Sequence, residues 1–316
     1  MKTTEIKALA DALRANIAKV VVGKEDVVDK VLAALLAGGH VLLEDVPGTG
    51  KTLLSRALAA SMDGRFSRIQ FTPDLLPADV TGMAVFSPKS ENFTFKLGPI
   101  FANIVLADEI NRATPRAQSA MLECMEEKQV SSDGTTYPLP APFFVIATQN
   151  PVETQGTFPL PEAQLDRFMV QLSMGYPTRE EQTAILQRFM QESPQESLRP
   201  VANAEQIVQA QKAVRSVSVT PELLDYIGAL CEKTRALDDA LLGASPRAAL
   251  ALMRVSQSLA AIRGRDYVTP EDIKTMAKPV LAHRLILRTA YGRRGRAAEA
   301  VGEVLASVPV PTETIE

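Results

Sequence analysis

The nine residues EDVPGTGKT, at positions 44–52, restrict the fold of this chain more than any other stretch. They follow a short apolar run, residues 40–43, which is typical of a buried strand. Gly48 and Gly50 can adopt backbone angles closed to other residues, so the N–H groups of the loop can turn inward around an anion. Apolar residues then recur at helical spacing from Leu53 onward, and the start of a helix attracts negative charge. The stretch therefore predicts a strand, an anion-binding loop and a helix.

The loop matches the phosphate-binding pattern G-x-x-x-x-G-K-[ST] except at its first position, where Asp45 replaces glycine. Lys51 would place a positive charge against the terminal phosphates, and the Thr52 hydroxyl is a ligand for Mg²⁺. The Asp45 carboxylate would repel phosphate, so we expect it to turn away from the nucleotide. We predict that ATP and Mg²⁺ bind here, the nucleotide being held by Pro47, Gly48, Thr49, Gly50, Lys51, Thr52 and Leu53.

Two further apolar runs end in polar residues, NIVLADE at 103–109 and PFFVIATQNP at 142–151. Because parallel strands end at the same edge of a sheet, their terminal side chains should meet the phosphate loop. Asp108 would hold Mg²⁺ through water, and Glu109 would polarise the water that attacks the γ-phosphate. Asn150 can hold that water without adding charge. Each pair could also be an ordinary polar strand end, but their combination with the loop favours catalysis.

The chain divides near Pro177 into two regions of different pattern. Before it, short apolar runs alternate with helical patterns, which predicts an α/β domain over residues 1–177 with a parallel five-stranded sheet. The strand candidates are His40–Leu43, Arg68–Phe71, Ile104–Asp108, Phe143–Gln149 and Phe168–Leu172. After Thr178 the strands stop, and residues 178–316 predict a smaller, all-helical lid domain with a frayed C-terminus.

Composition indicates a soluble, cytoplasmic protein. Two cysteines among 316 residues are too few for a disulfide framework, and no apolar run is long enough for membrane insertion. The net charge of −3 gives no general attraction to nucleic acid. Arginines cluster between Arg284 and Arg296, but few aromatic residues lie among them, so we interpret this cluster as a solvated helix and turn.

The order of five motifs resembles the MoxR group of AAA+ ATPases: EDVPGTGKT, VLADEINR, FFVIATQNP, LPEAQLDRF and GASPRAAL. The resemblance runs from VVVGKEDVV, at residues 20–28, to the helical end of the chain. It implies a P-loop AAA+ core with a helical lid, and it includes an acidic residue at the loop entrance. It also implies that Gly23 binds nucleotide, and that the chain assembles as a homo-oligomeric ring, usually a hexamer, with ATP between subunits.

The resemblance implies a functional role for each of two arginines. Arg167, in LDRF, corresponds to the arginine finger that reaches a neighbour's γ-phosphate, although a local ion pair with Asp166 or Glu162 is the alternative. Arg112 and Arg116 are rival candidates for that role. Arg247 corresponds to the sensor-2 arginine, through which the helical domain would detect ATP as a lid. Its place in the first turn of a helix, where a cation is mildly disfavoured, also suggests a nearby anion.

Two segments are predicted to form hairpins that project from the core. Residues 93–97 alternate after a turn-like Pro88-Lys89-Ser90, and Asp133-Gly134 is a tight-turn signal within residues 129–137. In the resembled family these are an insert in the second helix and a hairpin before the sensor strand, facing the pore or a rim of the ring. Ordinary surface hairpins are the alternative.

The sequence thus predicts a Mg²⁺-dependent ATPase whose cycle drives chaperone-like remodelling or maturation of protein complexes. The resemblance further implies a partner carrying a von Willebrand factor A domain. One alternative is a motor subunit of the magnesium-chelatase or helicase type. Another is a nucleotide-switched binding module with little turnover.

Overall fold

The computed structural model of this chain describes residues 1–88, 91–151, 156–190, 198–288 and 295–311. Its helices are α1 Thr3–Ile17, α2 Glu25–Leu36, α3 Lys51–Ser61, α4 Pro77–Thr81, α5 Pro115–Glu127, α6 Glu162–Leu165, α7 Arg179–Phe189, α8 Ala204–Ala213, α9 Pro221–Arg235, α10 Pro246–Ile262, α11 Pro270–Leu281 and α12 Arg296–Ser307. Its strands are β1 Val41–Glu44, β2 Phe66–Gln70, β3 Gly82–Ser87, β4 Asn92–Leu97, β5 Ile104–Asp108, β6 Gln129–Ser132, β7 Thr135–Pro138, β8 Phe144–Gln149, β9 Val170–Leu172, β10 Ala240–Leu242 and β11 Ile286–Leu287.

A five-stranded sheet forms the centre of the first region, in the order β2-β5-β8-β1-β9 with every neighbouring pair parallel. The five predicted strands are all present, with ends within two residues of the predicted positions. Side chains alternate between the faces of the sheet. Val41 and Leu43 pack with α1, α2 and α3, whereas Leu42 packs with α5. The predicted α/β fold with a helical lid is confirmed.

The second region is mainly helical, but the prediction that strands stop at Thr178 is wrong. Strands β10 and β11 form a short antiparallel pair, closed by a hydrogen bond from the Arg288 N–H to the Asp239 carbonyl. Such short strands give no recognisable period in a sequence. The predicted helix starts at Thr178, Thr220, Ser245 and Thr269 are all N-caps in the structure.

Helix α10 packs on α1, α2 and α11, so the helical region joins the core on one face of the sheet. Arg284 fixes a second contact, between the segment that follows α11 and the residues before β9. The residue is 7% exposed, and its Nε lies 2.5 Å from Oδ1 of Asp166, while Nη2 donates to the carbonyl of Phe168 at 2.7 Å. The interpretation of Arg284 as a solvated residue is therefore wrong, because partners distant in sequence enclose it. The cluster members Arg293 and Arg294 lie outside the described residues, as does the predicted frayed end beyond residue 311.

Both predicted hairpins are present. Strands β3 and β4 pair antiparallel, and β6 and β7 pair around Asp133 and Gly134, both of which have positive φ. Phe95 on β4 stacks on Tyr137 on β7, with ring centroids 4.2 Å apart, so the two hairpins are in contact. Residues 89–90 of the predicted turn lie outside the described residues. Among the described helices, none has the length and apolar character needed to cross a bilayer.

Candidate functional site

The loop between β1 and α3 has the conformation that its glycines predict. Gly48 has φ +83° and Gly50 has φ +93°, angles at which a side chain would be strained. Gly50 is also the N-cap of α3, which begins at Lys51. The backbone therefore turns twice through the left-handed region immediately before the helix starts, as an anion-binding loop requires.

Asp45 faces away from the interior of this loop, as expected from its charge. Its carboxylate accepts hydrogen bonds from the Ser173 hydroxyl at 3.1 Å and from the backbone N–H groups of Met174 and Gly175. These residues directly follow β9, the strand next to β1. Asp45 therefore joins the loop entrance to the neighbouring strand, and it is buried in doing so.

Replacing Asp45 by asparagine should lower the free energy of unfolding by about 1–3 kcal/mol, because an amide cannot accept all of these charge-assisted bonds. Urea unfolding of the purified variant measures this change. Ser173→Ala is the matched control, since it removes one hydroxyl donor and leaves the bonds from both N–H groups to the Asp45 carboxylate. Its effect should be smaller. A wild-type unfolding midpoint for Asp45→Asn would contradict a structural role for the carboxylate.

Lys51 lies over the loop at the first position of α3. Its Nζ donates to the carbonyls of Asp45 at 2.9 Å and Val46 at 3.0 Å. Burial lowers the pKa of Lys51, and the nearby carboxylates of Asp45, Asp108 and Glu109 oppose that shift. Two neutral carbonyl groups stabilise the positive charge of the Lys51 ammonium only weakly. A negatively charged phosphate oxygen would therefore be a stronger partner.

The predicted loop and strand-end residues meet around one cleft of about 460 Å³. The predicted residues that line it are Pro47, Gly48, Gly50, Lys51, Thr52, Leu53, Asp108, Glu109 and Asn150. Three further lining residues, Arg56, Arg68 and Thr148, were not predicted. The cleft thus combines an anion-binding loop, a lysine, two carboxylates and an amide at the carboxyl edge of the sheet.

Asp108 lies between two donors from neighbouring strands. Oδ1 accepts from the Thr148 hydroxyl at 2.6 Å, and Oδ2 accepts from Arg68 Nη2 at 2.6 Å. Among the described residues, no group of three His, Cys, Asp or Glu side chains could hold a metal alone. The hard oxygens of Thr52 and Asp108 fit Mg²⁺, which binds through one or two protein oxygens and mostly through substrate phosphates.

Glu109 has a left-handed backbone, with φ +56°, immediately after β5. Its N–H donates to the Thr148 hydroxyl at 2.8 Å, which fixes the turn. Its carboxylate accepts from Gln70 Nε2 at 3.0 Å and from Arg112 Nη1 at 3.2 Å. Positive φ is uncommon for a residue with a long side chain, and such strain concentrates at functional sites. Arg112, one candidate for an intersubunit role, is here a partner of its own chain's Glu109.

Gln70, Arg68 and Thr148 contact the predicted carboxylates but were missed from the sequence. Gln70 lies opposite Asp108 in the register of β2 with β5. The only signal was the polar alternation of Arg68 and Gln70 along an apolar run, which an exposed edge strand explains equally well. Which strand lies beside β5 depends on topology, so the pairing could not be predicted.

An apolar cavity of about 410 Å³ adjoins the cleft and shares Gly48, Gly50 and Leu53 with it. Thr49, a predicted loop residue that does not line the cleft, lines this second cavity. Its other walls come from residues 20–22 and 24, which flank Gly23, and from the start of the helical region. The apolar members include Val22, Met174, Tyr176, Ile185 and Phe189. A flat apolar ring would bind well in such a cavity beside the phosphate loop.

Arg167 and Arg247 lie at the opposite edge of the sheet. Both line a cavity of about 270 Å³ that also includes residues 38–40 and Met169, which precede β1 and β9. The phosphate loop follows β1, and a four-residue strand spans about 13 Å. Packing of α10 on α1 and α2 therefore places Arg247, the predicted sensor-2 residue, beside the end of β1 opposite the phosphate loop. The position of Arg247 in the first turn after the N-cap Ser245 does not reveal which edge of the sheet it will lie against.

Comparison with known proteins agrees with this geometry. The family described as "ATPase family associated with various cellular activities (AAA)" matches residues 40–170, and the family "AAA lid domain" matches residues 232–304. The protein Chaperone MoxR1 of Mycobacterium tuberculosis is 43% identical over 86% of this chain and 74% of its own length. This chain belongs to the MoxR family of AAA+ ATPases.

Two further relatives cover nearly the whole chain. The uncharacterized protein YeaC of Bacillus subtilis is 50% identical over 94% of this chain and 93% of its own length. A crystal structure of a proposed ATPase from Cytophaga hutchinsonii is 40% identical and superposes with a TM-score of 0.90, covering 98% of this chain and 97% of that chain. The α/β core and the helical region of this MoxR-family chain are therefore both shared with a solved structure.

Proposed function

We propose that this MoxR-family chain hydrolyses ATP in a Mg²⁺-dependent reaction. The observation that carries the proposal is the single cleft in which the phosphate loop, Lys51, Asp108, Glu109 and Asn150 come together. The loop N–H groups and Lys51 would bind the phosphates, and the adjoining apolar cavity would take the adenine ring. Thr52 and Asp108 would hold Mg²⁺, which neutralises phosphate charge when bound.

The two strand-end residues supply the chemistry within that cleft. Glu109 would accept a proton from the attacking water, for which its carboxylate must exchange the Gln70 and Arg112 contacts for water. Asn150, which directly follows the neighbouring strand β8, would orient the same water without repelling the γ-phosphate. Its burial at 7% exposure keeps the amide in place.

Completion of the site requires a second copy of the chain. Arg167 and Arg247 line one cavity at the sheet edge opposite the phosphate loop, which supports a role at the site of a neighbouring subunit. In a head-to-tail ring, that edge of one subunit faces the phosphate loop of the next. Arg167 would stabilise charge on the neighbour's γ-phosphate, with Arg247 beside it. We infer a closed homo-oligomer, a hexamer by analogy with AAA+ rings.

A chaperone-like role fits the name of the relative Chaperone MoxR1. The cycle would remodel or mature protein complexes, with a von Willebrand factor A domain protein as partner. The buried free thiols of Cys124 and Cys231 fit a cytoplasmic location.

Mixing two inactive variants tests the shared site. Arg167→Ala subunits keep an intact phosphate loop, and Lys51→Ala subunits keep an intact arginine. Arg167→Ala alone should lose about a thousandfold in phosphate release, since an arginine finger contributes that much, and Lys51→Ala alone should not hydrolyse ATP. An equal mixture should regain activity at about one site in four if subunits assort at random. No recovery in a mixture shown by native mass spectrometry to be mixed would contradict the intersubunit role.

A further inference from the structure

The cavity that contains Arg167 and Arg247 also contains the end of α5, where Glu126 contacts both arginines. Arg167 Nε lies 3.0 Å from Glu126 Oε2, and Arg247 Nη2 lies 3.2 Å from Oε1. One carboxylate therefore joins an arginine of the α/β core to an arginine of the helical region. Like charges this close repel each other, and a shared carboxylate removes most of that repulsion.

The nearest acidic neighbour of Arg167 does not serve this purpose. Asp166 is adjacent in sequence, but its Oδ1 pairs with Arg284 and its Oδ2 accepts from the Ser245 hydroxyl at 3.3 Å. Both partners belong to the helical region, so Asp166 fixes the backbone on which Arg167 is carried. The Arg167 side chain instead contacts the Glu126 carboxylate.

The atoms involved suit an arginine that must bind a second anion. Contact at Nε uses the inner edge of the Arg167 guanidinium and leaves the outer edge, with Nη1 and Nη2, for bidentate binding of phosphate oxygens. The side chains are 38% exposed for Glu126 and 30% exposed for Arg167. Ion pairs at such exposure add about 0–1 kcal/mol to stability, so stability does not explain the arrangement.

We propose that Glu126 is a positioning residue for the neighbouring subunit's site: it holds Arg167 and Arg247 as a pair, oriented to meet one triphosphate. This inference rests on the proposed intersubunit ATPase. The triphosphate is bound by the phosphate loop of the adjacent copy of the chain. Glu126 itself contacts neither the phosphates nor the attacking water.

Glu126→Gln keeps the shape of the side chain and removes its charge. We expect kcat to fall about tenfold, as for a catalytic group misplaced by a fraction of an ångström, with the dissociation constant for ATP unchanged. Glu127→Gln is the matched control, since it removes the same charge from the next, exposed position of α5, and it should hydrolyse ATP at the wild-type rate. In the Arg167→Ala background, Glu126→Gln should have a smaller effect than in the wild type, because only its contact with Arg247 is left to lose.

Mixed rings show which site Glu126 serves. Added to the Lys51→Ala subunit, which supplies the arginines, Glu126→Gln should lower the recovered activity of the mixture about tenfold. Added to the Arg167→Ala subunit, which supplies the phosphate loop, it should change nothing. The reverse pattern, an unchanged kcat or an increased kcat would overturn the inference. If the parent mixture itself fails to recover, the proposed function fails instead.

Discussion

Replacing Lys51 by alanine is expected to weaken ATP binding by about 10- to 100-fold and to abolish hydrolysis. Within the described part of the chain, the Nζ group donates to two carbonyls of its own loop, at 2.9 and 3.0 Å, and Lys51 lines the same cleft as Gly48 and Gly50. A charge-assisted contact to phosphate is worth about 1.5–3 kcal/mol, and each 1.4 kcal/mol changes a dissociation constant tenfold. Titration with a fluorescent ATP analogue measures the loss.

Two controls separate binding from folding. Lys30→Ala removes a lysine that pairs with Asp26 on α2, outside the cleft, and should bind ATP normally. The thermal unfolding midpoint of Lys51→Ala without nucleotide should match that of the wild type, because the carbonyls it leaves can be hydrated. If Lys51→Ala and Lys51→Met both bind ATP with wild-type affinity, the nucleotide does not bind at this loop.

Glu109→Gln is expected to slow phosphate release by about 100-fold or more while ATP stays bound, because a neutral amide cannot accept the proton of water. The substitution preserves shape, and the backbone turn at φ +56° is held by the N–H bond to Thr148 rather than by the carboxylate. Single-turnover assays with radiolabelled ATP would distinguish trapped ATP from ADP.

Glu123→Gln is the control for this experiment, since it removes a carboxylate from an exposed position of α5. It should hydrolyse ATP at the wild-type rate. A Glu109→Gln enzyme with normal turnover would remove Glu109 from the mechanism. A wild-type protein that binds ATP tightly and releases no phosphate would instead favour a nucleotide-switched binding module.

The phosphate loop and the strand ends could be predicted because their structure is local. Two glycines before a lysine and a helical pattern fix a turn whose geometry depends on neighbouring backbone angles. Apolar runs that end in polar residues fix where the strands stop, and parallel strands bring those ends to one edge. The grouping of Lys51, Asp108 and Asn150 in one cleft follows from these local rules.

Tertiary structure alone decided what lies around that cleft and what lies opposite it. The contact of Gln70 with Glu109 depends on β2 being the neighbour of β5, a choice made by packing over the whole sheet. Arg247 lies beside Arg167 because α10 packs on α1 and α2, more than two hundred residues earlier in the chain. No short-range pattern records such contacts, since burial of apolar surface is non-directional and fixes which elements meet only once the whole core is assembled.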